Sequence, residues 1–103
     1  MSEQFIDSFA ELCEEAGDIR DQHGFETSMD NFPEKIALIH AEVSEALEDY
    51  RKGREDHIPE ELADIVIRVM DLADGIDADV GTEIVNKMEQ NRDREGKNPE
   101  RKI

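Results

Sequence analysis

This sequence has only one cysteine, no long apolar run and no pattern typical of a secretory leader. The single cysteine, Cys13, has no partner in the chain, which excludes an internal disulfide. Its apolar neighbours repeat at helical spacing, so Cys13 is predicted to be a small core residue. No apolar run is long enough to span a bilayer, and the first residues do not have a signal-peptide pattern. We therefore expect a soluble, cytoplasmic protein.

Cations are scarce: 12 Lys and Arg face 28 Asp and Glu, which gives a formal net charge of −16. A field of this sign repels nucleic acids and anionic membranes, so the composition excludes broad binding to either of them. A similar excess of acids is found in proteins from salt-loving organisms, where concentrated salt screens the repulsion. We therefore expect this acidic protein to bind neither nucleic acid nor a membrane.

Strand-like alternation is also missing, and apolar residues recur at three- and four-residue spacing instead. This spacing predicts helices over about residues 2–22, 33–52 and 59–75, and a last helix capped by Asp77 or Asp79. The boundaries come from helix-starting and helix-stopping residues, namely Pro33, Pro59, Gly24, Gly53 and Gly75. A chain of 103 residues has room for one domain. We expect residues 1–103 to form a single all-α domain with a four-helix bundle-like protomer.

The third predicted helix is apolar almost all the way round. Apolar side chains cover most of its circumference between Leu62 and Ala73, and such a helix must be covered on nearly all sides. Three other short helices of one protomer can hardly do this. The pattern therefore predicts an obligate homo-oligomer, either a dimer or a dimer of dimers.

One narrow polar stripe interrupts that apolar surface, and it consists of Glu61, Asp64, Arg68 and Asp71. Buried carboxylates need a cation, and one arginine cannot neutralise three acids, so the stripe is consistent with a bound metal. Alternatively, the stripe faces solvent and Asp64 forms an ordinary ion pair with Arg68. This helix alone does not separate the two interpretations.

Several familiar sites are excluded by spacing. The residues three before each histidine are not acidic, which rules out the Glu-x-x-His pairs of di-iron bundles. The linker at Asp77 and Asp79 lacks the glycine and glutamate of a calcium loop. The sequence also has no phosphate-binding GxxxxGK[ST] loop, no Cys/His zinc spacing and no nucleophile with a histidine relay.

Two acidic pairs remain: Glu42-x-x-Glu45 on the second helix and Glu61-x-x-Asp64 on the third. Each pair shares one helical face, and antiparallel packing across the short turn brings the two faces together. Four carboxylates then converge on a hard cation, for which oxygen ligands favour Mg²⁺ or Mn²⁺. Because Mg²⁺ commonly bridges carboxylates and substrate phosphates, we expect a nucleoside triphosphate or a similar polyphosphate as the ligand.

The sequence Glu42-Val-Ser-Glu45, a 15-residue gap and Glu61-Leu-Ala-Asp64 resemble the ExxE…ExxD signature of the MazG-like all-α nucleoside triphosphate pyrophosphohydrolases. The residues that flank both pairs are also similar to that superfamily, and Lys87-x-x-x-Asn91-x-x-Arg94 resembles its substrate-binding end. The resemblance covers about residues 23–97. Two departures are visible: Ala41 replaces the leading glutamate of the common EExxE form, and the tail after Arg94 differs from the usual RPxxHGGK-like sequence.

The resemblance implies a MazG-like fold and the hydrolysis of an NTP or dNTP to the monophosphate and pyrophosphate, in nucleotide-pool house-cleaning. It implies that Glu42, Glu45, Glu61 and Asp64 hold the metal, and that Glu42 or Glu45 orients the attacking water. It further implies that Lys87, Asn91 and Arg94 bind the phosphates. Two alternatives stay open: a non-catalytic helical regulatory or assembly module, and a phosphoribosyl-ATP pyrophosphohydrolase.

Overall fold

The computed structural model describes residues 2–97, with the side chains of residues 2–93. Within this range the regular structure consists of four α-helices and two short 3₁₀ turns, and it contains no strand. Helix α1 covers Ser2–Gln22, α2 covers Phe32–Arg51, α3 covers Ile58–Gly75 and α4 covers Val80–Lys97. The 3₁₀ turns Met29–Asn31 and Glu55–His57 precede α2 and α3. The all-α prediction is confirmed.

The helix ends follow the local sequence chemistry. Pro33 and Pro59 occupy the first turns of α2 and α3, where a missing N–H breaks no helical hydrogen bond. Gly24 and Gly53, beyond the ends of α1 and α2, both have a φ of 76°. At the start of α4, the backbone N–H of Thr82 donates to Asp79 Oδ1 at 3.1 Å. Asp79 is therefore the N-cap of α4, and it is one of the two residues that the sequence offered for this position.

The described chain forms two compact units. Residues Leu12–Ala78 make up one, and the described residues before Leu12 and after Ala78 make up the other. In the second unit the rings of Phe5 and Phe9 stack with centroids 5.6 Å apart, and Gly81 of α4 lies against Phe9. No helix among residues 2–97 combines the length and the apolar character that crossing a membrane requires.

In the unit Leu12–Ala78, the buried apolar side chains come from α1 and from the last turns of α3. They are Cys13, Ala16, Met70, Leu72 and Ala73. The predicted core position of Cys13 is confirmed. Three of these five side chains are small, so the core is thin and the helices can approach each other closely there.

The first turns of α3 are much less covered than its apolar pattern requires. Leu62 and Val66 are 53% and 48% exposed, although they stand one turn apart on an apolar face. On α2, Val43, Leu47 and Tyr50 form a similar stripe and are 49%, 47% and 64% exposed. We call these five residues the hairpin apolar face. The described part of one chain does not cover this face.

Candidate functional site

Helices α2 and α3 form the hairpin that carries both predicted acidic pairs. The turn between them is fixed by Arg54, whose Nε donates to Asp49 Oδ1 at 2.9 Å and whose backbone N–H donates to the carbonyl of Asp49 at 2.8 Å. The Asp49 side chain is buried whereas that of Arg54 is 45% exposed, so this charged contact is shielded from water only on the Asp49 side. The hairpin is antiparallel, because Glu42 lies against Arg68 whereas Asp49, later on α2, lies near Glu61, earlier on α3.

Three of the four predicted metal ligands converge on this hairpin. One carboxylate oxygen from each of Glu42, Glu45 and Glu61 lies within 4.8 Å of the other two. Glu42 and Glu61 are half-buried, whereas Glu45 is exposed. In an octahedral Mg²⁺ site with bonds of about 2.1 Å, adjacent ligand oxygens are about 3 Å apart and opposite ones about 4.2 Å apart. The three side chains would therefore have to turn toward one another to share one such cation, and their all-oxygen donor set suits Mg²⁺ or Mn²⁺.

Asp64, the fourth predicted ligand, does not belong to this group of three oxygens. It is half-buried one turn after Glu61 and lines the groove described below, as Glu42 does. Its negative charge acts on Glu61. The structure thus places Asp64 at the edge of the carboxylate cluster, which we define as Glu42, Glu45 and Glu61, and its role as a ligand stays a prediction.

The cluster holds a carboxyl group that resists ionisation. Partial burial raises the pKa of Glu61, and the neighbouring carboxylates of Asp49, Glu45 and Asp64 raise it further. In contrast, the hydrogen bond from Arg54 lowers the pKa of Asp49. Glu61 is therefore the harder of the two acids to ionise. Crowded acids of this kind favour a cation that neutralises them.

A groove with a volume of about 680 Å³ adjoins the cluster at Glu42. Its floor and walls come from the end of α1, from the segment after α1 and from one face each of α2 and α3. The charged and titratable side chains that line the groove are Arg20, His23, Glu34, Lys35, Glu42, Asp64, Arg68 and Asp71. Only two Lys or Arg residues precede residue 51 in the sequence, and both of them, Arg20 and Lys35, line this groove. Together with Arg68 they set three cations among the four acids of the lining, so the lining is less negative than the chain as a whole.

The same groove has an apolar side, formed by Ala16, Ile19, Phe25, Leu38 and Ile67. Phe25 is 68% exposed, so its ring is available to a ligand rather than packed into the core. A ligand that suits both sides has anionic groups and a flat apolar part. A nucleotide satisfies both requirements.

Arg20 fixes one wall of the groove. Its Nη1 donates to Asp71 Oδ1 and its Nη2 donates to Asp74 Oδ2, both at 3.0 Å, while Nε donates to Asp21 at 3.1 Å. Only 13% of the Arg20 side chain is exposed. All three guanidinium nitrogens are therefore engaged, two of them in tying α1 to α3 and the third within α1, and Arg20 has a structural role.

Comparisons of the chain with protein-family models, with curated proteins and with solved structures find no significant match. The MazG-like fold, the activity and the residue roles that the resemblance implies therefore stay predictions. The arrangement of the acidic side chains on the α2–α3 hairpin is the observation from which these predictions are argued below.

The predicted phosphate-binding residues lie on α4, in the other compact unit. Lys87 is exposed and Asn91, one turn later, is half-buried. Arg94 falls outside the residues whose side chains the structure describes. Their phosphate-binding role is untested by the geometry and stays a prediction.

Sequence reasoning missed two features of this site. The spacing on α3 offered Asp64 as an ion-pair partner for Arg68, but in the structure Arg68 pairs across the hairpin with Glu42, with Nε and Oε1 3.4 Å apart. The groove cations Arg20 and Lys35 were also not identified as part of the site. Their isolation in a stretch that otherwise has no Lys or Arg was the one available signal.

Proposed function

We propose that this protein is a metal-dependent nucleoside triphosphate pyrophosphohydrolase of the MazG-like kind, acting on an NTP or dNTP in nucleotide-pool house-cleaning in the cytoplasm. The observation that carries the proposal is the convergence of Glu42, Glu45 and Glu61 within 4.8 Å, next to a groove whose lining includes Lys35 and Arg68. Each acid of such a cluster raises the cost of ionising the next, and a divalent cation would remove that cost.

Glu42, Glu45 and Glu61 would hold Mg²⁺, or Mn²⁺ in its place, with Asp64 at the edge of the cluster as the fourth carboxylate. When bound, the metal would neutralise triphosphate charge and lower the pKa of a water molecule. Glu42 or Glu45 would orient the attacking water and accept its proton. The water oxygen then forms a bond to the α-phosphorus, and the bond from that phosphorus to the bridging oxygen breaks, so that pyrophosphate leaves.

The groove supports a nucleotide as the substrate. Lys35 and Arg68 would meet phosphate charge, and the apolar side with Phe25 offers a surface for a base. Lys87, Asn91 and Arg94 on α4 are proposed to bind phosphates as well. A phosphoribosyl-ATP pyrophosphohydrolase would use the same carboxylates, and a panel of NTPs, dNTPs and phosphoribosyl-ATP distinguishes these substrates.

We also propose a homo-oligomer, a dimer or a dimer of dimers, in which a second copy covers the hairpin apolar face. The exposure of Val43, Leu47, Tyr50, Leu62 and Val66 supports this arrangement. The same face is the observation that favours the second candidate function, a non-catalytic helical assembly module with solvated acids. Negligible affinity for Mg²⁺ would favour that module over the enzyme.

A matched pair of variants tests the enzyme proposal. Glu45→Gln keeps side-chain volume and removes a ligand, so Mg²⁺-dependent pyrophosphate release should fall by roughly two or more orders of magnitude. Glu48→Gln makes the same chemical change one turn away, at an exposed residue that pairs with Lys52 at 3.3 Å, and should leave activity near that of the unmodified protein. If the two variants have the same activity, the acids of the hairpin are ordinary solvated surface and the proposal fails.

A further inference from the structure

Arg68 is the groove cation that lies directly against the carboxylate cluster. Its guanidinium uses only Nε in the contact with Glu42, and within the described part of the chain neither terminal nitrogen has a hydrogen-bond partner. The Arg68 side chain is 42% exposed, whereas that of Glu42 is 14% exposed. One end of this ion pair is thus held in place and the other is free to turn.

We infer that Arg68 is a phosphate-binding residue that pairs with Glu42 until a metal occupies the carboxylate cluster, and that it then turns its guanidinium to the triphosphate. This inference rests on the proposed function, because it requires both the metal and the polyphosphate. It assigns Arg68 a role in which the pair with Glu42 is a resting contact.

Competition for Glu42 is the first step of the argument. Glu42 belongs both to the carboxylate cluster and to the groove, so a divalent cation on the cluster and the guanidinium of Arg68 draw on the same carboxylate. Two cations on one carboxylate repel each other, and the ion pair with Arg68 is long and partly solvated. The divalent cation therefore displaces Arg68.

The second step is the destination of the released side chain. A guanidinium presents several N–H donors in one plane and matches two phosphate oxygens at once. Arg20 cannot serve in this way, because its three nitrogens are bound to Asp21, Asp71 and Asp74. Arg68 is thus the groove arginine that has donors to spare beside the cluster.

Lys35 provides the matched control. It lines the same groove and carries the same charge, but among the described residues it forms no ion pair and it lies two turns before Glu42 on α2. Lys35→Gln therefore removes one positive charge from the groove without releasing Glu42. Any effect of net charge alone appears in both variants, and only Arg68→Gln removes the competitor of the metal.

The first measurement is a titration of the full chain with Mn²⁺ alone. Binding is detected by calorimetry or by the electron paramagnetic resonance of free Mn²⁺. Arg68→Gln should tighten Mn²⁺ binding about two- to fivefold, which corresponds to the loss of a partly exposed ion pair. Lys35→Gln should change it less than about twofold. Equal changes in the two variants would overturn the inference about Arg68.

The second measurement uses inorganic tripolyphosphate in the presence of saturating Mn²⁺. Arg68→Gln should weaken its binding by about tenfold, and Arg68→Lys, which keeps the charge but not the planar donors, should recover part of the loss. Unchanged tripolyphosphate affinity in Arg68→Gln overturns the inference, even if this variant binds Mn²⁺ more tightly as expected. Far-ultraviolet circular dichroism confirms that each variant is folded.

Glu45→Gln separates this inference from the proposed function. Suppose that Glu45→Gln abolishes Mn²⁺ binding but the Arg68 variants do not show the expected changes in Mn²⁺ and tripolyphosphate affinity. The metal site is then supported and only the role of Arg68 is wrong. If Glu45→Gln leaves Mn²⁺ binding intact, the carboxylate site is wrong and the role of Arg68 is overturned with it.

Discussion

Thr27 donates its hydroxyl hydrogen to Asp71 Oδ2 at 2.8 Å, the carboxylate oxygen that Arg20 leaves unused. Thr27 is buried although it belongs to the irregular segment between α1 and α2. Asp71 therefore joins three parts of the unit: α1 through Arg20, the segment after α1 through Thr27, and its own helix α3. Charged and polar contacts therefore help to hold this wall of the groove.

We predict that Arg20→Gln destabilises the protein by about 1–3 kcal/mol, because hydrogen bonds to charged groups are lost and two partly buried carboxylates lose their cation. The free energy of unfolding in urea measures the effect. Arg51→Gln is the control, since Arg51 is exposed and forms no ion pair among the described residues. If Arg51→Gln costs as much, the effect comes from net charge and not from the contacts of Arg20.

Gly17→Ala should also be destabilising, although alanine is the better helix former. An added Cβ at residue 17 would overlap the carboxylate of Asp74, which receives the hydrogen bond from Arg20. Gly81→Ala provides the comparison, because its Cβ would meet Phe9 at an ordinary distance of 3.4 Å. We expect thermal unfolding to show a lower Tm for Gly17→Ala and an unchanged or higher Tm for Gly81→Ala; the opposite order would contradict the close approach of α1 and α3.

Much of the fold follows from local sequence chemistry. Pro33 and Pro59 predict helix starts, and antiparallel packing across a short turn predicts that Glu42 and Glu45 meet Glu61. The contacts of Arg20 are different, since they join residues 51 and 54 positions apart in a chain with many equivalent acids. Arg68 pairs with Glu42 and not with Asp64 because of the direction in which its side chain extends. Residue spacing does not specify this direction.

Acid should weaken the start of α4 through Asp79. The hydroxyl and the backbone N–H of Thr82 donate to its carboxylate and hold the pKa of Asp79 below its ordinary value. Because the folded-state pKa is the lower one, this stabilisation is present above the unfolded pKa of about 3.9 and is lost as the pH falls through the folded pKa. Asp79→Asn retains a capping side chain but cannot titrate. Melting curves between pH 2 and pH 6, taken as a difference between the two proteins, should show this loss only in the unmodified chain.

Added salt should raise the Tm, because it screens the repulsion within a chain of net charge −16. Millimolar Mg²⁺ should raise it further by binding the carboxylate cluster in the folded state. In Glu45→Gln the increment from NaCl should remain while the increment specific to Mg²⁺ disappears. A Tm that responds to Mg²⁺ equally in both proteins would indicate screening without a site.

Val66→Glu should convert the proposed oligomer to a folded monomer, since it places a charge in the hairpin apolar face. Met29→Glu adds the same charge at an apolar residue that is 64% exposed in the segment before α2, and it should leave the assembly intact. Light scattering coupled to size exclusion at micromolar concentration measures the mass. A well-folded monomer in the unmodified protein would remove the case for an oligomer.

The contact between Arg54 and Asp49 has a consequence for the order of folding. These residues are five positions apart, so the turn that sets α2 against α3 closes a very short loop. The ties of Arg20 to α3 close loops about ten times longer, which is slower and entropically more costly. We expect the hairpin to form early and α1 to dock on it late, which pulse-labelled hydrogen exchange during refolding would show as protection of α2 and α3 before α1. The carboxylate cluster would then be assembled before the groove exists, so that a divalent ion in the refolding buffer can bind a chain that is still half folded.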